Sequence, residues 1–421
     1  MPHYHIWTIG CQMNKADSES MAVLLEHHGY RSTAKIDDAD IVVLNSCVVR
    51  QSAESKVANK IDALRRLDSD KVLAVTGCIV DENVDGLRKR FPRVDLFFEP
   101  QDIGKLSEYL NDRGAVGAGS AVPSLPAKAK ISTLINIMHG CDNFCSYCIV
   151  PYRRGREVSR PMADIVAEVE SVVALGAKEV VLLGQNVDSY GHGLAQSPTL
   201  ADLLGELNRI DGLARIRFLT SHPKDMSDRL IAAVAGLDKV CECISLPFQA
   251  GDDDILKAMH RGYTSDDYRR LVERIRSSVP DVALSTDVIV GFPGESEEQY
   301  RRSREIIEEI RFDTVHIACY SPRSGTIASR ELADDVSASE KVRRRKELEA
   351  IQERIVSEIN SGLKGRIVEV LVEGRKKGKW WGRARTDKLV FFEDAGNHLG
   401  QVVNVCIEST SSWSLQGRID G

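Results

Sequence analysis

The stretch ISTLINIMHGCDNFCSYC, residues 131–148, decides how this chain folds and where its chemistry lies. An apolar run over residues 131–138 predicts a β-strand, and three cysteines follow it as Cys141-x-x-x-Cys145-x-x-Cys148. Three thiolates on one loop can hold three irons of a cubane cluster, because soft thiolates suit iron–sulfur chemistry. A fourth cysteine is missing, so one iron would stay open to another ligand. Zinc binding and chance spacing are the alternatives, but structural zinc sites usually use four ligands from paired motifs.

Six strand candidates separated by helical patterns run through the middle of the chain. They are residues 131–138, 179–183, 215–220, 242–246, 284–290 and 314–320. Six successive βα units predict a partial (β/α)6 barrel, whose chemistry belongs at the carboxyl ends of its strands. An open doubly wound sheet is the alternative that periodicity leaves open. A charged helix is predicted next, over residues 338–360.

The first 112 residues also alternate strands with helices, which predicts a parallel α/β domain of Rossmann or flavodoxin-like type. The apolar runs are residues 5–9, 41–44 and 72–75. Cys11, Cys47 and Cys78 each come just after one of these runs. Neighbouring parallel strands would bring the three thiols to one edge of the sheet. Buried core cysteines are the alternative, since unpaired cysteine is among the most buried residue types.

Composition divides the chain into four segments. Residues 113–130 are rich in Gly, Ala, Ser and Pro without periodicity, which predicts a linker. Near the end, short apolar runs at residues 367–372, 389–392 and 402–407 are separated by Gly and charged turns, the pattern of a small all-β barrel. We therefore expect domains over residues 1–112, 131–357 and 358–421, with the linker between the first two.

Charge and hydropathy limit the class of protein. The 421 residues include 56 Lys and Arg against 62 Asp and Glu, a net charge of −6, which excludes a globally basic nucleic-acid binder but not a local basic patch. No stretch approaches 18 consecutive apolar residues, and the N-terminus lacks the pattern of a signal peptide, so we expect a cytoplasmic protein without a membrane span. In that compartment thiols stay reduced, and ten cysteines need another explanation than disulfides.

The cysteine triplet after the first strand of a partial barrel resembles the radical S-adenosylmethionine (SAM) superfamily. The resemblance implies that the open iron of a [4Fe–4S] cluster binds the amino and carboxylate groups of SAM. One electron then cleaves SAM to methionine and a 5′-deoxyadenosyl radical. The segments GCQMN, NSC and GC around Cys11, Cys47 and Cys78 resemble the methylthiotransferase branch, which implies a second, auxiliary [4Fe–4S] cluster on these cysteines.

Two departures from the family pattern stand beside these cysteines. The family commonly has Met-Ala-Gln after the third cysteine, where this chain has Ile79 and Val80 before Asp81, and Thr before the second, where it has Ser46. Neither departure removes a ligand. The first is expected to alter the surroundings of the auxiliary cluster.

Polar or glycine-rich turns follow four consecutive barrel strands: GQNVDSYG, TSHP, LPFQAG and GFPGE. In the SAM family such turns contact the cofactor, and PYRRGRE after the cysteine triplet also matches. The resemblance implies cofactor-binding roles for Gly184, Gln185, Asn186, Gly291, Glu295 and Arg154. Ordinary turns are the alternative for the first five, and a solvated basic turn for Arg154 and Arg156. We expect His222, a lone histidine, to be structural.

GQNVDSYG, RIRFLTSHP and PYRRGRE together resemble the methylthiotransferases that act on dimethylallyl-adenosine in tRNA. This implies methylthiolation of adenine C2 at position 37, on the anticodon stem-loop, with SAM as methyl donor and radical source. An external electron donor of flavodoxin or ferredoxin type, a sulfur source and a monomeric enzyme are expected. Sister branches acting on threonylcarbamoyl-adenosine or ribosomal protein S12 are the alternative. An electron carrier would use four cysteines per cluster, and intact triplets at both sites argue against an inactive RNA-binding scaffold.

Residues 361–421 resemble the TRAM domain, a small β-barrel associated with RNA binding. Residues 375–388, expected to form a loop, carry seven Lys or Arg against one Asp, and two adjacent Trp. Cations interleaved with aromatic rings are typical of nucleic-acid binding. The predicted RNA-binding residues are Arg375, Lys376, Lys377, Lys379, Trp380, Trp381, Arg383 and Arg385. The alternative is a solvated hairpin with Trp packed on its own barrel, where at most one of two adjacent Trp can face inward.

Overall fold

A computed structural model of the chain describes residues 1–47, 51–64, 71–80, 84–113 and 129–420. The chain forms two compact units, and most of the predicted linker lies outside the described residues. The first unit comprises Met1–Lys128, His139–Asp142 and Cys148–Glu157, and the second comprises Ala129–Met138, Asn143–Tyr147 and Val158–Gly421. None of the helices within the described ranges is long and apolar enough to cross a membrane.

The first unit is built on a five-stranded parallel sheet with helices. In spatial order its strands are β2 (Arg31–Ser32), β1 (His3–Ile9), β3 (Ile41–Ser46), β4 (Val72–Gly77) and β5 (Leu96–Phe97). Its helices are α1 (Gln12–His27), α2 (Gln51–Ala63), α3 (Val84–Arg90), α4 (Gly104–Asp112) and α5 (Val150–Arg154). The strand order 2-1-3-4-5 is the flavodoxin-like one, which confirms the predicted fold class.

Strands β3 and β4 of this sheet are buried along their whole length, as expected of a parallel sheet covered on both faces. Their side chains alternate between two apolar clusters, because successive residues of a strand point to opposite faces. Val42 and Leu44 join the cluster on one face, and Ile41 and Val43 the cluster on the other. This burial fixes the register of the strand ends, where the cysteines lie.

The second unit contains two three-stranded parallel sheets. The first sheet has the order β10 (Arg215–Phe218), β9 (Glu179–Leu183), β6 (Ser132–Asn136), and the other β11 (Cys243–Ser245), β12 (Ala283–Val290), β13 (Thr314–Cys319). A single parallel bridge between Ile216 and Val240 joins the edge of β10 to the segment before β11. The six predicted strands are therefore confirmed within one or two residues, as a partial barrel.

Short strands and helices complete this barrel. The two short strands are β7 (Met138–His139) and β8 (Val158–Ser159). The helices are α6 (Met162–Ala174), α7 (Leu200–Asn208), α8 (Asp228–Gly236), α9 (Asp253–Ala258), α10 (Ser265–Ser278), α11 (Glu297–Ile310), α12 (Ile327–Glu331) and α13 (Ala338–Ser361). Helix α13 is the charged helix that the sequence predicts.

The last residues form a closed five-stranded β-barrel, as predicted. Its strands are β14 (Ile367–Lys376), β15 (Lys379–Ala384), β16 (Leu389–Phe392), β17 (Val402–Thr410) and β18 (Leu415–Ile419), in the order 14-15-16-18-17. A two-residue turn at Lys377 and Gly378, with φ of 51° and 85°, joins β14 to β15. The predicted loop over residues 375–388 is therefore wrong. Most of these residues lie in the paired strands β14 and β15, so the positive charge is carried by a β-hairpin.

Two buried arginines of β10 fasten this β-barrel to the (β/α) barrel. Arg215 donates to the Arg383 carbonyl at 2.6 Å and to the Glu369 carboxylate at 2.9 Å. Arg217 donates to the carbonyls of Ala384 and Arg385 at 2.6 and 2.7 Å, and pairs with the buried carboxylate of Glu179 at 2.9 Å. The RIRF segment thereby acts as a clamp, which we call the β10 clamp (Arg215 and Arg217).

Candidate active site

Cys11, Cys47 and Cys78 follow β1, β3 and β4 at one edge of the first sheet, as the sequence predicts. The backbone N–H of Cys47 donates to Ile9 O at 2.9 Å, and that of Cys78 to Ser46 O at 2.7 Å, so the strand pairing continues into the cysteines. A side-chain hydrogen bond joins Cys47 to Cys78. In flavodoxin-like sheets ligands bind at this edge, where the strand order reverses beside the first strand.

Glycine precedes two of these cysteines because the backbone passes too close to its neighbours for a side chain. A Cβ at Gly10 would lie 2.3 Å from Asn14 Oδ1 and 2.8 Å from Cys47 Cβ. A Cβ at Gly77 would lie 2.1 Å from Ser46 O, at a φ of +96° that disfavours other residues. These glycines let the loops of the three cysteines approach each other.

Two buried asparagines, which the sequence analysis did not single out, hold the loops in place. Asn14 Nδ2 donates to Asn45 Oδ1 at 2.9 Å, and Asn45 Nδ2 donates back to Asn14 O at 2.7 Å. Asn14 Oδ1 also lies 3.3 Å from Cys11 Sγ. The Asn residues of GCQMN and LNSC therefore orient the first two cysteines. The sequence alone does not reveal that these two amide side chains, 31 residues apart, pair with each other.

Arg154 lies buried in this first unit. Its Nη2 pairs with Asp17 Oδ2 at 2.9 Å, with both side chains at most 7% exposed, and its guanidinium donates to Cys78. The hydrogen bond from Cys47 and the Arg154 charge lower the pKa of Cys78 to about 6 despite burial. A thiol that ionises at neutral pH is suited to metal ligation. The structure thus places Arg154 against Asp17 and Cys78, and its predicted contact with SAM stays a prediction. Arg156 instead forms an exposed pair with Asp142.

The cysteine triplet lies on a loop divided between the two units: Cys141 and Cys148 belong to the first and Cys145 to the second. Cys145 is buried, and Arg261 Nη1 lies 3.3 Å from its Sγ. The Arg261 side chain is anchored by Pro247 O at 2.9 Å and by the Tyr263 hydroxyl at 3.1 Å. A fixed guanidinium therefore stands beside this sulfur. In the described part of the chain, no three His, Cys, Asp or Glu side chains form a complete metal-ligand group.

The carboxyl ends of β9 and β10 present polar atoms without partners. Gln185 Oε1, Asn186 Oδ1 and His222 Nε2 are buried and find no hydrogen-bond partner among the described residues. Asp188 ties the two turns together by accepting from Ser221 Oγ at 2.9 Å and from the His222 backbone N–H at 3.0 Å. Burial raises the pKa of Asp188 to about 7. Their open hydrogen-bonding capacity is available to water or to a ligand.

Backbone strain marks the same ends of the barrel. Thr220 and Gln249, which follow β10 and β11, have φ of 73° and 70°, and Phe144 within the triplet has φ of 45°. Such left-handed conformations cost free energy and concentrate at active sites. Gly184 packs against Met138, since a Cβ there would lie 2.5 Å from Met138 Cγ.

Gly291 and Glu295 have structural partners within the second unit, and their predicted contact with the cofactor stays a prediction. The Glu295 carboxylate accepts from the Gly291 backbone N–H at 2.6 Å and from Arg344 Nη1 at 2.8 Å. A Cβ at Gly291 would lie 2.3 Å from Lys341 Cγ of α13. The turn after β12 is therefore anchored to helix α13.

The eight predicted RNA-binding residues differ in their exposure to solvent. Arg375, Lys376 and Lys377 are exposed around the hairpin turn, while Lys379, Trp381 and Arg383 are partly buried. Trp380 is only 5% exposed, within the apolar core of the β-barrel, so its predicted base stacking is corrected. Arg385 pairs with Glu242 at 2.7 Å in the second unit, and its predicted contact with RNA stays a prediction.

One exposed aromatic was missed. Trp413, in the turn between β17 and β18, is 82% exposed. Its position between serines gave no sequence signal. The exposed ring suits stacking on an unpaired base.

The four remaining cysteines show no site. Burial raises the pKa of Cys241 to about 11 and of Cys243 to about 12, so both thiols stay protonated. The pKa of Cys319 is raised for the same reason. The fourth, Cys406, is partly buried on β17 of the β-barrel.

Comparison with known proteins bears on the whole chain. Three family models match in succession: Uncharacterized protein family UPF0004 over residues 3–99, Radical SAM superfamily over 135–307 and TRAM domain over 363–419. The tRNA-2-methylthio-N(6)-dimethylallyladenosine synthase of Dehalococcoides mccartyi strain 195 is 51% identical over 100% of this chain and 99% of its own length. That of Herpetosiphon aurantiacus is 46% identical over 99% and 97%. The chain belongs to this synthase family.

Solved structures agree with the synthase fold. The radical SAM methyltransferase TsrM of Kitasatospora setae is similar at a TM-score of 0.57 and 15% identity, over 78% of this chain and 77% of that one. The radical enzyme OxsB is similar at a TM-score of 0.53 and 9% identity, over 83% and 56%. At these identities the likeness concerns the fold alone.

The residues present fit the clusters expected of a radical SAM synthase. The donor set at each site is three cysteine thiols, and soft thiolates are the ligands that iron–sulfur clusters take. A buried cation stands next to one thiol at each site: Arg154 beside Cys78 and Arg261 beside Cys145. Each cation offsets negative charge that thiolates would carry in a buried place.

Proposed function

We propose that the chain transfers a methylthio group to C2 of N6-dimethylallyladenosine at position 37 of tRNA, replacing the C2–H bond by C2–SCH₃. The observation that carries this proposal is the combination of two separate cysteine triads with near-complete coverage of the synthases. When bound, one [4Fe–4S] cluster would supply the electron that cleaves SAM to a radical, and the other would supply the sulfur.

In this proposal, Cys141, Cys145 and Cys148 hold the cluster that binds SAM. Arg261 fixes Cys145, and the unpaired oxygens of Gln185 and Asn186 are acceptors suited to the ammonium group of SAM. The Asn186 amide is oriented, because its Nδ2 donates to Asp225 Oδ2 at 2.8 Å and leaves Oδ1 for a ligand.

Cys11, Cys47 and Cys78 hold the auxiliary cluster. Asn14 and Asn45 set the positions of the first two cysteines, and Arg154 with Asp17 lies against the third. Ile79 and Val80, where the family pattern differs, are buried and join the apolar cluster on that face of the sheet. Next to Cys78, they would border the auxiliary [4Fe–4S] cluster with apolar rather than polar side chains.

The β-barrel at the C-terminus binds the RNA through exposed groups at the β14–β15 turn and through Trp413. Arg375, Lys376 and Lys377 contact phosphates, and Trp413 stacks on a loop base. The enzyme acts as a cytoplasmic monomer, with an external electron donor of flavodoxin or ferredoxin type and a separate sulfur source.

The test is anaerobic reconstitution with iron and sulfide, followed by incubation with reductant, SAM and a synthetic anticodon stem-loop. Matched stem-loops carry dimethylallyl-adenosine or threonylcarbamoyl-adenosine, and ribosomal protein S12 is offered separately. We expect a methylthio product with the dimethylallyl RNA alone. Product from either other substrate and none from the dimethylallyl RNA would assign the chain to a sister branch.

A further inference from the structure

We propose that His222 donates a hydrogen bond from Nε2 to a ring nitrogen of the target adenine, beside the carbon that reacts. The inference rests on the proposed function and adds a specificity-determining residue to it. His222 lies in the turn that follows β10, and the sequence alone predicts a structural role for this histidine.

The hydrogen bonds of the imidazole define its protonation. The backbone N–H of Lys224 donates to Nδ1 at 3.2 Å, so Nδ1 carries no proton, and the proton of the neutral ring is on Nε2. The Asp225 carboxylate lies 3.9 Å from Nδ1, beyond hydrogen-bond distance, and accepts from Asn186 Nδ2 at 2.8 Å. Burial and the charges of Arg261 and Lys224 lower the pKa of His222 to about 2, which agrees with a neutral ring.

The donor at Nε2 has no partner among the described residues, although the residue is only 6% exposed. Leaving such a group unpaired in a buried place is unfavourable. The rest of the ring is held firmly, edge-on to Tyr263 with the ring centroids 5.9 Å apart. A rigid, buried and unpaired N–H is therefore offered to a ligand.

This donor lies close to the cysteine triplet. Tyr263 accepts from Arg261, whose other nitrogen lies 3.3 Å from Cys145 Sγ. Lys224 Nζ also donates to Asn143 Oδ1, two residues before Cys145, at 2.8 Å. One aromatic ring and one guanidinium thus separate His222 from a sulfur that is proposed to hold the radical-generating cluster.

The chemistry of the donor favours a neutral ring nitrogen over the ammonium group of SAM. SAM also carries an adenine, and the SAM-cleavage readout of the experiment separates it from the adenine of the RNA. The neighbouring free atoms on Gln185 and Asn186 are acceptors and complement an ammonium, whereas a neutral N–H complements a neutral ring nitrogen. Adenine N1 and N3 both flank C2. A hydrogen bond to either one orients C2, and a neutral donor does so without protonating the ring.

The experiment combines protein and RNA changes in the loaded enzyme. Wild type, His222→Ala and His222→Gln are each given the dimethylallyl stem-loop with natural adenine, 1-deaza-adenine or 3-deaza-adenine. We measure methylthio product and 5′-deoxyadenosine from the same reactions. We expect His222→Ala to lose about ten-fold to a hundred-fold in methylthio product while still cleaving SAM, the size of one buried hydrogen bond. His222→Gln, which keeps a donor, retains more product.

The interaction is identified by its coupling. One deaza substitution should cost wild type about the factor that His222→Ala costs on natural RNA, and should cost His222→Ala nothing further. If His222→Ala and the deaza substitution reduce product independently, so that their losses multiply for both deaza RNAs, the inference is overturned. It is also overturned if His222→Ala and His222→Gln lose SAM cleavage as much as product, because the hydrogen bond would then be to SAM. A wild type that makes no product from natural RNA refutes the proposed function itself, a distinct result.

Discussion

Cysteine chemistry in this chain depends on neighbours that are distant in sequence. Cys78 is made acidic by Cys47 and by Arg154, which lies in α5, and Cys145 touches Arg261. Spacing alone predicts which cysteines act together. The fold brings in the cations that lie beside them, Arg154 next to Cys78 and Arg261 next to Cys145.

The two cysteine sets should separate by function. We expect Cys145→Ala to abolish SAM cleavage, and Cys47→Ala to leave cleavage intact while stopping sulfur insertion. Each variant should lose about four of eight irons per chain, because each cluster needs its three thiolates. Iron analysis and 5′-deoxyadenosine assays check this, with Cys406→Ala as a control that keeps all iron. Product from the Cys47 variant would refute the auxiliary site.

Asp188 should make folding stability depend on pH. Its folded pKa of about 7 exceeds the ordinary value of 3.8, so the folded state binds more protons than the unfolded chain between these values. The free energy of unfolding therefore falls as pH rises through this window, on the order of a few kcal/mol in all. We expect Asp188→Asn to remove this loss, measured by urea unfolding at pH 5 and pH 7.5.

Asp202→Asn is the matched control for that measurement. Hydrogen bonds from Thr199 lower the pKa of Asp202, so its stabilisation is present above the unfolded pKa and is lost only as the pH falls below about 4. Its effect should therefore be equal at pH 5 and pH 7.5. A difference between the two pH values as large as that of Asp188→Asn would show that burial of Asp188 is not the cause.

At the scale of elements, strand positions follow from the sequence and side-chain partners do not. The apolar runs predict all six barrel strands, because burial of parallel strands demands continuous apolar residues. Residues 375–388 were expected to be a loop, since charge hides the strand pattern when one face of a hairpin is solvated. Glu295 illustrates the second limit: its partner Arg344 is 49 positions away and no periodicity connects them.

The tryptophans of the β-barrel should respond differently to truncation. Trp380 lies in the core on β15, and we expect Trp380→Ala to cost about 3–5 kcal/mol of stability. Trp413→Ala should leave the unfolding midpoint unchanged but weaken stem-loop binding by about 1–3 kcal/mol, the value of one stacked base. Chemical denaturation and RNA titration separate the two effects. Unchanged RNA affinity for the Trp413 variant would remove it from the interface.

At the scale of the whole molecule, the β10 clamp holds the β-barrel against the (β/α) barrel within the second unit. We expect Arg217→Met to cost about 3–5 kcal/mol, because Glu179 would remain buried without its cation. Hydrogen exchange of β15 should rise with it. Adding Glu179→Gln should recover part of the loss. The exposed Arg274, paired with Asp228, provides Arg274→Met as a control expected to change stability by about 0.5 kcal/mol or less.

The clamp has a consequence for how the enzyme diversifies. Arg215 and Arg217 donate mainly to the backbone carbonyls of Arg383, Ala384 and Arg385. Every residue type has this backbone acceptor, whatever its side chain. Side chains that point outward from the β-barrel can therefore change while its junction with the (β/α) barrel stays the same. A hairpin grafted from a relative is therefore expected to keep the same junction with the (β/α) barrel, because the backbone acceptors of Arg215 and Arg217 are unchanged.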